Sequence, residues 1–502
     1  MTEIDGRLRA VCDLSVPMMR ESAGLHSYDG QVQDLSAAGV QTALGRLGAG
    51  EQRADPHDEA HLVAFEQGAR VVFGELELHR SNPLLHLENL DLSCYDRDYA
   101  PATDRSRARR AHLDRWPEAV EVAVRTLDAV TAPVATALLP ASRGLAAGLD
   151  PDSDAAALVA HGRLIAHLEL LARTGNPDAS IGGPALARLM GVGEALEVDL
   201  SALADTADAE RDRLQALLAD ACDRLAPGRP VGELITELLA DHPDAGGVLD
   251  EARQQVQEVL AFSREHDLAP WLDGECLVGP APPSRSWAMA MMAWAAPEEA
   301  DAPSYYWVTP PDPSYSEQDT ESWLSVFSRT TLPTITAHEV APGHYAHGRS
   351  LRRAPTAERR ILQSKTFAEG WAHHVEEVMV EEGFRADDPR FAIGVFLEAL
   401  IRVTRLTCAI GLHTGAMTVA DAAARFTEDA HHGGSAAMSE AQRGTFDPNY
   451  GCYTWGKLAI RDLRDQARAQ WGDSCSLPRF HRAMLELGSP PLGLLGAALE
   501  RG

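Results

Sequence analysis

Within residues 331–382 the chain gathers His338, Glu339, His344, His347, Glu369, His373, His374 and Glu376, residue types that hold metals and move protons. A histidine followed by a glutamate at the end of an apolar helix is the start of a zincin site. In the His-Glu-x-x-His form, two histidines one turn apart reach the same ion while the glutamate handles water. Here the run is His338-Glu339-Val340-Ala341-Pro342-Gly343-His344, so the second histidine comes six residues after the first. In an unbroken helix it would stand ~240° round from the first, out of reach of a shared metal. Pro342 cannot donate to the carbonyl of His338 and its ring crowds that carbonyl, while Gly343 tolerates angles that redirect a chain. A local break or bulge is therefore expected, returning His344 to the face of His338.

Two helices must position these groups. Thr331 stands where it can cap the first, and Pro333 falls in its first turn. The second runs through Phe367-Ala368-Glu369-Gly370-Trp371-Ala372-His373-His374-Val375-Glu376. Glu369 and Glu376 are seven apart on one face, so one can bind the metal while the other orients a ligand from behind. Glu369 and His373, four apart, form a rival pair, and His347 or His373 could replace a ligand. A later helix over residues 397–413 places Arg402, Arg405 and His413 on a face with Ala409. The two arginines need carboxylates, either glutamates of packed helices or the C-terminus of a substrate, which guanidinium binds bidentately.

The His-Glu-x-x-Pro-Gly-His run, the Glu369-Gly370-Trp371-Ala372 helix and the segment from Tyr450 through Tyr453, Gly456 and Ile460 to Arg464 together resemble a bacterial family, domain of unknown function 885. The resemblance covers roughly residues 275 to 470 and is diffuse before them. It implies an all-helical body with a central cleft, similar to the carboxypeptidase Taq and thimet-type zinc peptidases. It implies Zn2+ held by His338, His344 and Glu369, because in those peptidases the glutamate ligand follows the second histidine by some two dozen residues, as Glu369 follows His344. It also implies a late tyrosine over the zinc: Tyr453 first, Tyr450 second as a substrate contact, with His413 matching a histidine of the family. The chain departs from the family pattern at Ala409, where an Asp is usual, and at Tyr345 and His347, where His and Gln are common.

The composition fits a helical body. Hydrophobic residues make up 45% and aromatic ones only 6%, with much alanine and leucine, which favours helix over sheet. With 502 residues the chain can fill about three units of ~150 residues. We read a helical N-terminal scaffold over 1–275 and a metal-binding catalytic region over 276–502, joined in one continuous body. The Pro-rich stretches 277–285 and 302–311 suggest short strands or extended segments bordering a cleft. A net charge of −29 argues against nucleic-acid or anionic-membrane partners, and the basic run 105–110 is too short to reverse that. Seven scattered cysteines suggest neither a disulfide framework nor a Cys-x-x-Cys metal site. The opening Met1-Thr2-Glu3 lacks a leader pattern, and no run approaches ~18 apolar residues. These features read as a cytoplasmic protein. His79 and His86, the Gly182-Gly183 turn and the Glu428-to-His432 cluster read as structural.

The expected chemistry is zinc-assisted hydrolysis of a peptide or amide bond in a small substrate, carboxypeptidase- or dipeptidase-like. Glu339 would relay the water proton, Tyr453 and His413 would stabilise the oxyanion, and Arg402 or Arg405 would receive a carboxylate. The alternatives are an amidohydrolase tailoring a small metabolite and a non-catalytic binding scaffold.

Overall fold

Asp199 accepts hydrogen bonds from the amides of Ser201 and Ala202, and Asp244 from that of Gly247. These contacts satisfy amides that have no partner within the helix, and so fix where two long helices begin. They are α1 (Leu200–Leu225) and α2 (Ala245–Glu265). The computed structural model describes residues 4–282, 285, 288–299 and 301–502; Met1-Thr2-Glu3 and the Pro283-Ser284 part of the 277–285 stretch lie outside them. The protein is mostly helical with a three-stranded sheet, as its composition suggests.

The strands are β1 (Cys276–Pro280), β2 (Ala290–Ala293) and β3 (Ser304–Val308). They lie in the order β1-β3-β2, with β1 parallel to β3 (Cys276 opposite Ser304) and β2 antiparallel to it (Ala290 opposite Val308). Beyond the sheet come α3 (Leu332–Glu339), α4 (His344–Leu351), α5 (Lys365–Glu381), α6 (Arg390–Thr414), α7 (Gly434–Phe446) and α8 (Cys452–Trp471).

The largest core joins Leu214 and Leu218 of α1, Val256 and Val259 of α2, Ile335 of α3 and Ile393, Leu400 and Val403 of α6. It runs across residues 275/276 without a break. Burying each such side chain contributes about 1.5–3 kcal/mol over leaving it in water. This packing, more than helix propensity, holds α6 against α1.

One N-terminal helix, Ala155–Thr174, is long and apolar enough by length and composition to cross a membrane, although polar residues break its apolar run, in keeping with the expectation that no run approaches ~18 apolar residues. Its polar side chains are engaged by neighbouring segments. Arg163 pairs with Glu121 at 2.6 Å and Glu169 with Arg143 at 2.9 Å, while His161 and His167 donate to the carbonyls of Ser142 and Leu127.

Candidate metal centre

α3 starts with Pro333 in its first turn, as expected, but Thr331 does not cap it: its hydroxyl donates to the Val326 carbonyl instead. The helix ends at Glu339. The Val340 amide still bonds Thr336, and then Val340 leaves helical geometry at φ −105°, ψ −87°. The chain passes the cis Ala341–Pro342 bond and Gly343 (φ −77°, ψ −132°) and starts a new helix at His344. Gly343 is required by space: a Cβ there would lie 1.8 Å from the carbonyl oxygen of His338. Trp371 of α5 donates through Nε1 to the Pro342 carbonyl at 3.0 Å and ties the break down. The break expected at Pro342-Gly343 is therefore present, and it brings the two histidines together.

Their rings stand 4.7 Å apart at 88°. Glu369 Oε2 lies 3.5 Å from His338 Nε2 and 3.2 Å from His344 Nε2. Among the described residues, one donor atom from each of His338, His344 and Glu369 lies within 4.8 Å of the other two. Two imidazoles and a carboxylate are a donor set that zinc accepts, with a fourth position left for water. Glu369 keeps 19% of its side-chain exposure, so the group meets solvent on its side.

The other nitrogen of His338 is already held. Its Nδ1 donates to Glu376 Oε1 at 2.6 Å, which leaves Nε2 to face Glu369. Glu376 Oε2 accepts from His373 Nδ1 at 3.0 Å and Arg402 Nη1 at 3.1 Å. Burial alone would raise the Glu376 carboxyl, but Arg402 and His373 hold it well below the usual carboxylate range. For His338, burial and Arg402 push the imidazole down, and Glu369 and Glu376 outweigh them to raise it to about 9.

That raised imidazole contributes stability that is fully present below its ordinary value of 6.5 and is lost as pH rises through about 9. A metal must displace the same proton. Zinc binding at pH 7 is therefore expected to release about one proton and to weaken about tenfold for each pH unit below 9. Titration calorimetry in two buffers of different ionisation enthalpy counts the proton, and a count of zero would refute a protonated His338.

Glu339 follows His338 as the last residue of α3. It is 9% exposed and accepts no hydrogen bond among the described residues. With no protein donor among them, its carboxylate oxygens are left to face solvent. Tyr453, in the first turn of α8, sets its ring 6.4 Å from that of His338 at 25°. Burial and Glu369 raise its phenol above the ordinary value, against Arg443 and Arg405.

Other expected residues lie elsewhere or have other partners. His413 is not brought to the centre: its Nε2 donates to the Gly444 carbonyl at 2.8 Å. At about 1.5 Å per residue, α6 carries it some 16 Å along the axis from Arg402, so the shared helical face did not mean a shared place. Tyr450 is fully buried with Cys408, Phe426 and Ala441 and offers no substrate contact. Arg402 is committed to Glu376 and Glu398, and Arg405 to Glu440 through bonds of 2.8 and 2.7 Å, so both take the ion-pair role. His347 donates to the Gly488 carbonyl, and His373 stands behind Glu376. Trp294, just beyond β2, had no signal of its own in the sequence, yet its ring lies 6.0 Å from that of His344. Two surface concavities, one lined by Val248, Val308 and Phe327 and the other by Pro133, Val419 and Thr445, hold none of these residues.

A helical body carrying a His-His-Glu group, with one histidine buttressed by a buried carboxylate, defines a candidate metalloprotein. The chain belongs to the family described as "Bacterial protein of unknown function (DUF885)", matched over residues 17–499. The match reaches far beyond residues 275–470 and takes in most of the chain before them.

Two solved structures share the fold. One is "a putative lipoprotein of unknown function" from Shewanella oneidensis, 20% identical, with a TM-score of 0.76, covering 99% of this chain and 98% of its own. The other is a "putative lipoprotein" from Colwellia psychrerythraea, 17% identical, with a TM-score of 0.74, covering 99% and 97%. No curated protein matches the chain.

Proposed function

We propose that the chain is a zinc-dependent hydrolase of peptide or amide bonds in small substrates, resembling the carboxypeptidase Taq and thimet-type peptidases. The observation that carries the reading is Glu339: a carboxylate without a protein hydrogen bond among the described residues, adjacent in sequence to His338. Zinc, when bound, supplies Lewis acidity to a carbonyl and to water. Glu339 takes the proton of the attacking water and returns it to the leaving amine. Tyr453 keeps its proton because its phenol is raised, and donates a hydrogen bond to the oxyanion as charge develops. Glu376 holds His338 in one tautomer throughout. β2, an edge strand just before Trp294, offers extended backbone near His344 for a peptide to pair with.

The test is metal content by plasma mass spectrometry followed by a panel of dipeptides and N-acyl amino acids. About one zinc per chain, lost in His338→Ala, is the expected result. Glu339→Gln should keep its zinc and lose at least about a hundredfold in kcat. No zinc in the wild type after loading, or a fully active Glu339→Gln, would overturn the reading.

The cytoplasmic reading is supported by seven free cysteines, and the lipoprotein descriptions of the similar structures favour the cell envelope instead. Cell fractionation decides between them.

A further inference from the structure

Lys365 opens α5 one turn before Glu369, so the two side chains leave the same face. Their Cα atoms are about 6 Å apart along the axis, the span of one to two residues of extended peptide. The Lys365 side chain is 46% exposed, and its recorded polar contact is Asp447 Oδ2 at 3.3 Å. Arg443 of α7, 30% exposed, uses that same oxygen through Nε at 3.4 Å and Nη2 at 3.1 Å. It also faces the phenol of Tyr453.

One carboxylate oxygen thus serves two cations, at distances toward or beyond the long end of the hydrogen-bond range. Arg405 nearby is answered quite differently, bidentately by Glu440. Lys365 and Arg443 share the single carboxylate oxygen they both contact, with Glu440 a further anion acting on Arg443, in a chain whose net charge is −29. The other titratable groups facing Lys365 are Cys452, Tyr453 and Glu88. Glu88 is exposed to solvent, where its charge is screened.

We infer that Lys365 and Arg443 form a receptor for a carboxylate on the substrate, placed next to the bond to be cleaved. The substrate class is then peptides or N-acyl amino acids with a free C-terminal carboxylate. This rests on the hydrolase reading, and it replaces Arg402 and Arg405 in the receiving role.

The experiment uses the zinc-loaded full chain, with N-acetyl-Ala-Ala and its C-terminal carboxamide as probes. Calorimetric binding and kcat/KM are both measured, for wild type, Lys365→Met, Lys365→Arg and Arg443→Gln. The wild type should prefer the free carboxylate at least about tenfold, roughly the value of one charge-assisted contact. Lys365→Met and Arg443→Gln should bring that ratio close to one, and Lys365→Arg should restore it. Lys365 is half exposed, so its variants stay informative if Arg443→Gln folds poorly. Selective binding without cleavage would leave the receptor standing and sink the hydrolase. Cleavage of both probes with equal efficiency would sink the receptor alone.

Discussion

Glu376→Gln is expected to weaken zinc binding by about 10–100-fold, the usual loss when the group orienting a ligand histidine is removed. The amide keeps the shape of the carboxylate but not its charge. His338 Nδ1 then has at most a neutral amide oxygen in place of the carboxylate that fixes its tautomer, and Arg402 and His373 lose the anion they share. Glu376→Leu removes the acceptor altogether and leaves a buried guanidinium with only Glu398 among the described residues, at 3.5 Å. Breaking a buried pair on one side costs about 3–5 kcal/mol, so this variant should also melt at a clearly lower temperature.

The pH dependence has a definite sign. A carboxyl held below its ordinary value of 4.5 contributes stability that is present above that value and is lost as pH falls through the lower one. The wild type should therefore lose stability in acid through this residue, and Glu376→Leu should lose less. Chelator competition gives the zinc affinity and calorimetry the melting temperature. A Glu376→Gln protein that binds zinc within twofold of wild type would show that the carboxylate does not orient His338.

Much of this centre was legible because metal ligation restricts residue type. Few side chains other than His, Cys, Asp and Glu bind zinc, and Pro342 with Gly343 announced that the helix between the two histidines must break. The partners of Glu376 were less legible: His373 stands three residues before it on the same helix, but His338 and Arg402 come from two other helices and no local spacing encodes them. Helical periodicity put Arg402, Arg405 and His413 on one face, yet a long helix spreads one face over many ångströms, and each residue met a different neighbour. Lys365 stood one turn from Glu369 in plain view, whereas Arg443 carried no signal until α7 was folded against α6. In the Glu-Gly-Trp-Ala motif the sequence suggested a role for the glutamate alone. The structure gives Trp371 the Pro342 carbonyl to hold, and Gly370 a helix crossing.

That crossing carries the second large effect. A Cβ on Gly370 would lie 2.5 Å from backbone atoms of Gly456, and a Cβ on Gly456 would lie 2.1 Å from the carbonyl oxygen of Thr366. α5 and α8 therefore touch backbone to backbone. Gly370 is adjacent to Glu369, and Gly456 lies three residues after Tyr453, so the contact sets the distance from the candidate ligand to the phenol. Gly456→Ala must push the helices apart by about 1 Å to reach an ordinary contact, at a cost of about 1–3 kcal/mol for overpacking. Because His338, His344 and Glu369 do not lie on α8, zinc content should hold near one per chain. Tyr453 does lie on it, and a displacement of about 1 Å at a positioned group can cost on the order of a hundredfold in kcat. Gly232→Ala is the control: nothing lies within 4 Å of its Cβ, and a helical alanine there should stabilise by about 0.5–1 kcal/mol. Melting temperature, zinc content and kcat measured on the same preparations separate the outcomes. A Gly456→Ala protein with wild-type kcat would mean that the spacing of α5 and α8 does not set the reach of Tyr453, and would take the phenol out of the mechanism.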